Sequence, residues 1–173
     1  DIFMKWSVAE KEAIGIYEVV FDNSNKKDEK WYINTNQSFA FADGTVTASY
    51  GTATPKAHAD TLFTAQDETD GLGTEGEVAT RGLKYNLIKN LKINVANELA
   101  KTDWYITRNS EKSTAIPSSI STHRDAVRTK QAAMEAQITG AADTAALETL
   151  YTFTEQEDGS VTRPLGELPI LES

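Results

Sequence analysis

The sequence predicts an α+β protein: a small antiparallel β meander, then a helical hairpin, then a C-terminal β-hairpin with an extended tail. Three patterns carry that reading. Short β-prone runs separated by turn residues fill positions 15–51. Apolar residues recur at helical steps over 87–99 and again over 120–138. A last pair of β-prone runs flanks Asp158-Gly159. The chain divides accordingly into 1–51 (meander with a short helix), 52–76 (loop or linker), 77–151 (helical hairpin) and 152–173 (hairpin and tail).

The first element is a short helix from Ser7 to about Ala13. Ser7 followed three residues later by Glu10 has capping-box spacing, Trp6 stands before it as an apolar anchor, and Gly15 ends it. Ile16 to Phe21 and Trp31 to Asn34 are rich in β-formers, with the turn cluster Asp22-Asn23-Ser24-Asn25 after the first. Ser38 to Phe41 and Thr45 to Tyr50 flank Asp43-Gly44, a strong two-residue hairpin signal because glycine takes positive φ readily. Alternation places Val46, Ala48 and Tyr50 on one face of the sheet and Thr45, Thr47 and Ser49 on a wet one.

Residues 52–76 are polar and punctuated by glycine, with Leu62-Phe63 as the one large apolar pair, so they read as a linker. Thr74 and Glu77 repeat the capping-box spacing and open a helix over 77–101, whose stripe is Ile88, Leu91, Val95 and Leu99, broadened by Leu87. Gly76 and Gly82 shift its regular part toward Gly82. Trp104 to Thr107 reads as a short β-like connector. Pro117 bars helix at Ile116, and Ser118 or Ser119 caps a second helix over 119–138, striped by Ile120, Val127, Met134 and Ile138 and stopped by Gly140. A third helical piece covers 144–151. The tail through Pro164 and Pro169 reads as extended, ordered against a partner surface.

Composition narrows the function. A net charge of −9 disfavours nonspecific nucleic-acid and anionic-membrane binding, and Lys26, Lys27 and Lys30 alternate with Asp28 and Glu29 without forming a basic patch. The absence of cysteine excludes disulfides, thiolate catalysis and cysteine-type zinc sites. No apolar run approaches the ~20 residues of a membrane span, so a soluble protein is expected. The chain opens on Asp1 and not Met, which fits either a removed leader or a missing start.

No hydrolase-elbow, zincin or phosphate-loop motif is present. The two histidines, His58 and His123, are far apart in sequence, and His123 reads as a helix-surface or interface residue. Gln66 to Glu77 matches a calcium loop at four positions, yet Gln66 stands where that loop needs Asp. No catalytic residue, metal site or cofactor is therefore assigned. Trp6, Trp31, Tyr32, Trp104, Tyr105 and Tyr151 read first as anchors of sheets and helices, with Trp31 and Tyr32 as a conceivable stacking platform for a ligand.

Gly82-Leu83-Lys84, the run from Leu99 to Arg108, Ile116-Pro117 and Arg124 to Arg128 together resemble a family of small tailed-bacteriophage proteins. It is common in marine and cyanobacterial phages and is related in pattern to phage tail-fibre assembly proteins. The front end, Trp6 with Ala9 to Ile16, Glu18-Val19 and Trp31-Tyr32, is similar too. The resemblance implies a virion structural protein (tail, tail-fibre or head-decorating subunit) working by protein–protein contacts in the particle, or in the host cytoplasm during assembly. It further implies other phage structural proteins as partners and a homo- or hetero-oligomer. One alternative is an assembly chaperone that leaves the particle; another is a carbohydrate-binding receptor module using Trp31 and Tyr32. The expected structural or interface residues are Asp103, Trp104, Tyr105, Arg108, Arg124 and Arg128, with Asp103-Trp104 as the corner between the helices. If the Trp104 ring is buried there, Trp104→Ala costs about 3–5 kcal/mol.

Overall fold

The computed structural model describes residues 5–171 and has mixed α+β architecture. It divides into two compact units, Asp1–Lys56 and Ala57–Ser173. The division falls inside the segment that reads as a linker.

In the first unit, α1 (Val8–Glu12) begins with the expected capping box: Glu10 N–H donates to Ser7 Oγ at 3.3 Å, and Ser7 N–H donates to the Glu10 carboxylate at 2.7 Å. Four strands and a short fifth follow: β1 (Val19–Asp22), β2 (Tyr32–Ile33), β3 (Gln37–Ala42), β4 (Thr45–Tyr50) and β5 (Thr54–Pro55). Asp43 and Gly44 both take positive φ, the signature of a type I′ turn, and join β3 to β4 in antiparallel register from Ala42↔Thr45 to Gln37↔Tyr50.

The sheet is nevertheless not a meander. Its order is β1-β4-β3, and β1 runs parallel to β4. The turn after β1 does form, with Ser24 N–H donating to Asp22 Oδ1, but the chain then leaves the sheet. Asn34 ties both polar groups of the Lys27 backbone, and β2 pairs with β5 instead. A parallel neighbour needs a crossover of a dozen residues or more, and 23–44 supplies it. Trp31 and Ala48 are the buried apolar residues of this unit among those described.

The second unit opens with β6 (Thr61–Leu62), α2 (Ala65–Thr69) and β7 (Val78–Thr80), the last pairing antiparallel with β6. Residues 57–80 are thus folded around short elements. Thr64 and Asp67 form a second capping box, at the start of α2. The helix expected from residue 77 starts later: Gly76 sits at φ +81°, Glu77 N–H donates to the Thr74 carbonyl, and 78–80 is strand. The capping-box spacing at Thr74 is therefore a turn, closed by Gly76 N–H donating to the Phe63 carbonyl.

Helix α3 (Leu83–Ala100) and helix α5 (Ser118–Gly140) form the hairpin, with α4 (Asp103–Lys112) inserted between them and α6 (Thr144–Tyr151) after. The pair is antiparallel: Lys84 Nζ near the start of α3 reaches the Thr139 carbonyl near the end of α5. Leu87, Leu91 and Val95 face Ile120, Val127, Met134 and Ile138 as the core, close to the expected stripes. Pro117, and not a serine side chain, occupies the α5 N-cap, and Gly140 is its last helical residue and not its stop. The C-terminal hairpin is β8 (Thr154–Glu155) with β9 (Val161–Thr162). The tail finds its ordering surface within the chain: Leu165 is fully buried, its N–H donates to the Leu150 carbonyl, and 169–171 lie beside the first turns of α5.

Candidate interaction surface at the helix junction

The start of α3 has no capping side chain, because Gly82 is its N-cap. Its exposed N–H groups are satisfied by the segment before it. Leu83 N–H donates to the Ala57 carbonyl and Lys84 N–H to that of His58, each at 3.0 Å. Gly82 N–H donates to Asp60 Oδ1 at 2.8 Å, and Arg81 pairs with the other oxygen at 2.6 Å. The Gly82 N–H first, and Arg81 second, hold the Asp60 carboxyl below its ordinary value. A Cβ on Gly82 would lie 2.3 Å from the Ala59 backbone, so only glycine admits this approach.

The other end of α3 is held by a cation. Arg124 on α5 donates from Nη1 to the Leu99 carbonyl at 2.8 Å, to Thr102 Oγ1 at 2.7 Å and to Asp103 Oδ1 at 2.8 Å. Its guanidinium thus sits against the carbonyl end of α3, where the helix dipole favours positive charge, and against the first residue of α4. Thr102 is fully buried and donates to the Leu99 carbonyl as well. One turn away, His123 Nε2 faces Glu98 Oε1 at 3.4 Å, both atoms buried, while the other Glu98 oxygen pairs with Lys101.

Trp104 to Thr107 is helix, not strand. Aromatic and β-branched residues lower helix propensity only slightly, and the Arg124–Asp103 bond with the Thr102 carbonyl accepting Tyr105 N–H starts the turn. Ser113 at φ +51° ends α4, with its N–H donating to the Asn109 carbonyl. No residue of α4 is buried. Trp104 is 59% exposed, which corrects the expected buried corner. Arg108 lies over its ring at 5.3 Å, and the Tyr105 ring is 6.1 Å away.

The junction therefore brings together Asp103, Trp104, Tyr105, Arg108 and Arg124. Arg128 lies apart on α5, paired with Asp125 at 3.2 Å. His123 is buried, not on the surface as its sequence setting implies. Thr102 reads in sequence only as the end of the first helix, before Asp103-Trp104, and its bonds to Arg124 and the Leu99 carbonyl have no sequence signal; Glu98 is signalled only by its i, i+3 spacing to Lys101. The stacking pair is not open as a platform: Trp31 is 3% exposed with Lys30 Nζ over its ring, and Tyr32 is half-buried. Gln66 to Thr69 is helical in α2, which removes the calcium-loop conformation there, and no group of three or more His, Asp or Glu side chains is placed to hold a metal among the described residues.

Fold and junction together define a two-unit α+β protein that displays an aromatic-cationic helix from a hairpin whose ends are tied by Arg124 and by Asp60. Compared with protein-family models, curated proteins and solved structures, the chain matches none.

Proposed function

We propose that this chain is a virion-associated structural protein of a tailed bacteriophage, a tail, tail-fibre or head-decorating subunit that works by protein–protein contacts and not by catalysis. The observation that supports it best is α4. A helix with no fully buried side chain does little for its own unit's core, yet its first residue is fixed through Arg124, and it presents Trp104 outward with Tyr105 and Arg108 half-buried beside it. Trp, Tyr and Arg are the residues that most often dominate protein–protein binding energy, and rigid mounting lowers the entropy lost on docking. The resemblance in residues 82–128 supplies the phage setting.

Mass spectrometry of purified particles tests this reading. The chain is expected among the particle proteins at stoichiometric abundance, and Trp104→Ala is expected to lower its incorporation. Absence from particles, together with co-purification on an unassembled fibre protein, would replace it with the assembly-chaperone reading. The carbohydrate-binding reading lacks the Trp31 face on which it depended.

A further inference from the structure

We infer that the outward face of α3 is a docking site for an acidic amphipathic helix of a partner protein. Tyr85, Lys89, Lys92, Ile93 and Ala96 line one open hollow of about 440 Å³ there, and every one of them belongs to α3. At 3.6 residues per turn they lie on the side of the helix away from Leu87, Leu91 and Val95, the side chains that α3 buries. Ile93 is 49% exposed and Tyr85 42%, so the strip offers apolar area that its own unit does not cover.

Charge selects the occupant. The chain carries 26 acidic residues against 17 lysines and arginines, yet the one acid of α3, Glu98, turns toward His123 and away from this strip. Lys89 has no partner among the described residues. Lys92 comes no closer than 4.0 Å to Glu135 Oε1, beyond hydrogen-bond length, and that oxygen already accepts from Gln131 at 2.8 Å. Two such lysines beside an apolar strip are complementary to carboxylates that flank an apolar stripe, the pattern by which paired helices choose partners. They oppose a second copy docking through the same face, because like charges would meet. A nucleic acid needs more phosphate contacts than two lysines supply on a chain of net charge −9.

The strip suits a helix in length and in shape. From Tyr85 to Ala96 it rises about 17 Å, roughly three turns. Ala96 admits a close backbone at one end, while Tyr85 and Ile93 supply the bulk. Arg81 lies over the Tyr85 ring at 4.3 Å and is itself held by Asp60 at 2.6 Å, so this anchor is ordered before a partner arrives. A helix packed along α3 at about 8–10 Å between axes brings its flanking residues within reach of both lysines.

Fluorescence anisotropy with the full chain tests this, using a labelled, stapled helical peptide with leucines on one stripe and glutamates on both flanks. Saturable binding is expected, and the same peptide with lysines in place of the glutamates is expected to bind about tenfold or more weakly. The double variant Lys89→Glu, Lys92→Glu should reverse that order of preference. Ile93→Ser should weaken the glutamate peptide about fivefold or more, through lost apolar burial. Trp104→Ala should change it less than about threefold, because the strip ends before α4 begins. No saturable binding, an unchanged preference in the double variant, or equal loss in Trp104→Ala and Ile93→Ser (docking on α4) overturns the proposal. So does equal affinity for a DNA duplex or for phosphatidylserine vesicles, which would make the face a general polyanion surface. All four substituted side chains are exposed, and circular dichroism confirms that each variant is folded. None of these outcomes bears on whether the chain is found in particles.

Discussion

Arg124 carries a charge into a mostly buried position, and it is tolerated because three oxygens from the α3 end, Thr102 and Asp103 receive it. Arg124→Met keeps most of the stem but removes the donors, and we expect a loss of about 2–4 kcal/mol in urea unfolding. Asp103→Ala should lose less than about 1 kcal/mol, because the Asp103 side chain is 59% exposed and two acceptors remain for Arg124. Equal losses would mean that the ion pair, and not the capped carbonyl, holds the junction. Trp104→Ala should stay within about 0.5 kcal/mol of wild type, since the ring faces solvent. Asp60 adds a pH dependence. Its folded pKa lies below the unfolded one, so its contribution is present above the ordinary carboxylate value and is lost as the pH falls through the lower folded value. Melting temperature should drop more steeply below about pH 4 in wild type than in Asp60→Asn; parallel curves would contradict this. Glu10, Asp22, Asp67 and Asp158 are lowered in the same direction by their own turn and cap bonds, and the difference between the two proteins isolates Asp60.

Two glycines of the helical hairpin separate steric need from helix propensity. Gly82 has ordinary backbone angles for alanine, φ −82° and ψ 177°, but no room for a Cβ beside Ala59. Gly82→Ala must push 57–60 away from the α3 start, with a loss of about 1–3 kcal/mol expected in denaturant unfolding. Gly140 has nothing within 4 Å of a Cβ and lies in the last turn of α5. Gly140→Ala should be neutral or stabilising by up to about 1 kcal/mol, and destabilisation would imply a backbone need that its surroundings do not show. The β elements behave differently. Hairpin β3–β4 was legible from Asp43-Gly44, because a two-residue turn is a local matter. The parallel partner of β1 was not, because it lies more than twenty residues on and no local pattern specifies it.

The two units differ in how much apolar surface they bury. Among the described residues the first buries Trp31 and Ala48, whereas the second buries a continuous set from Leu87 to Leu165. Few buried contacts mean low local stability. Hydrogen exchange should therefore release the amides of β1, β3 and β4 before those of α3 and α5. Uniform protection across both units would argue that they unfold as one.

Periodicity and turn chemistry set what was readable: the two stripes, the capping box at Ser7, the Asp43-Gly44 hairpin and the boundaries of α6 all arise from residues within a turn or two of each other. The candidate junction was half legible. Asp103, Trp104 and Arg124 stood out by type, but their roles depended on partners twenty residues away. Tertiary structure alone decided that Trp104 faces out, that Arg124 turns inward to cap α3, that 57–60 serve as the missing cap of the same helix, and that the tail packs on its own chain. Each of these is a choice of which distant group satisfies a hydrogen bond or fills a core position. Local sequence carries no signal for that choice, because the free energy that makes it belongs to the contact and not to either partner.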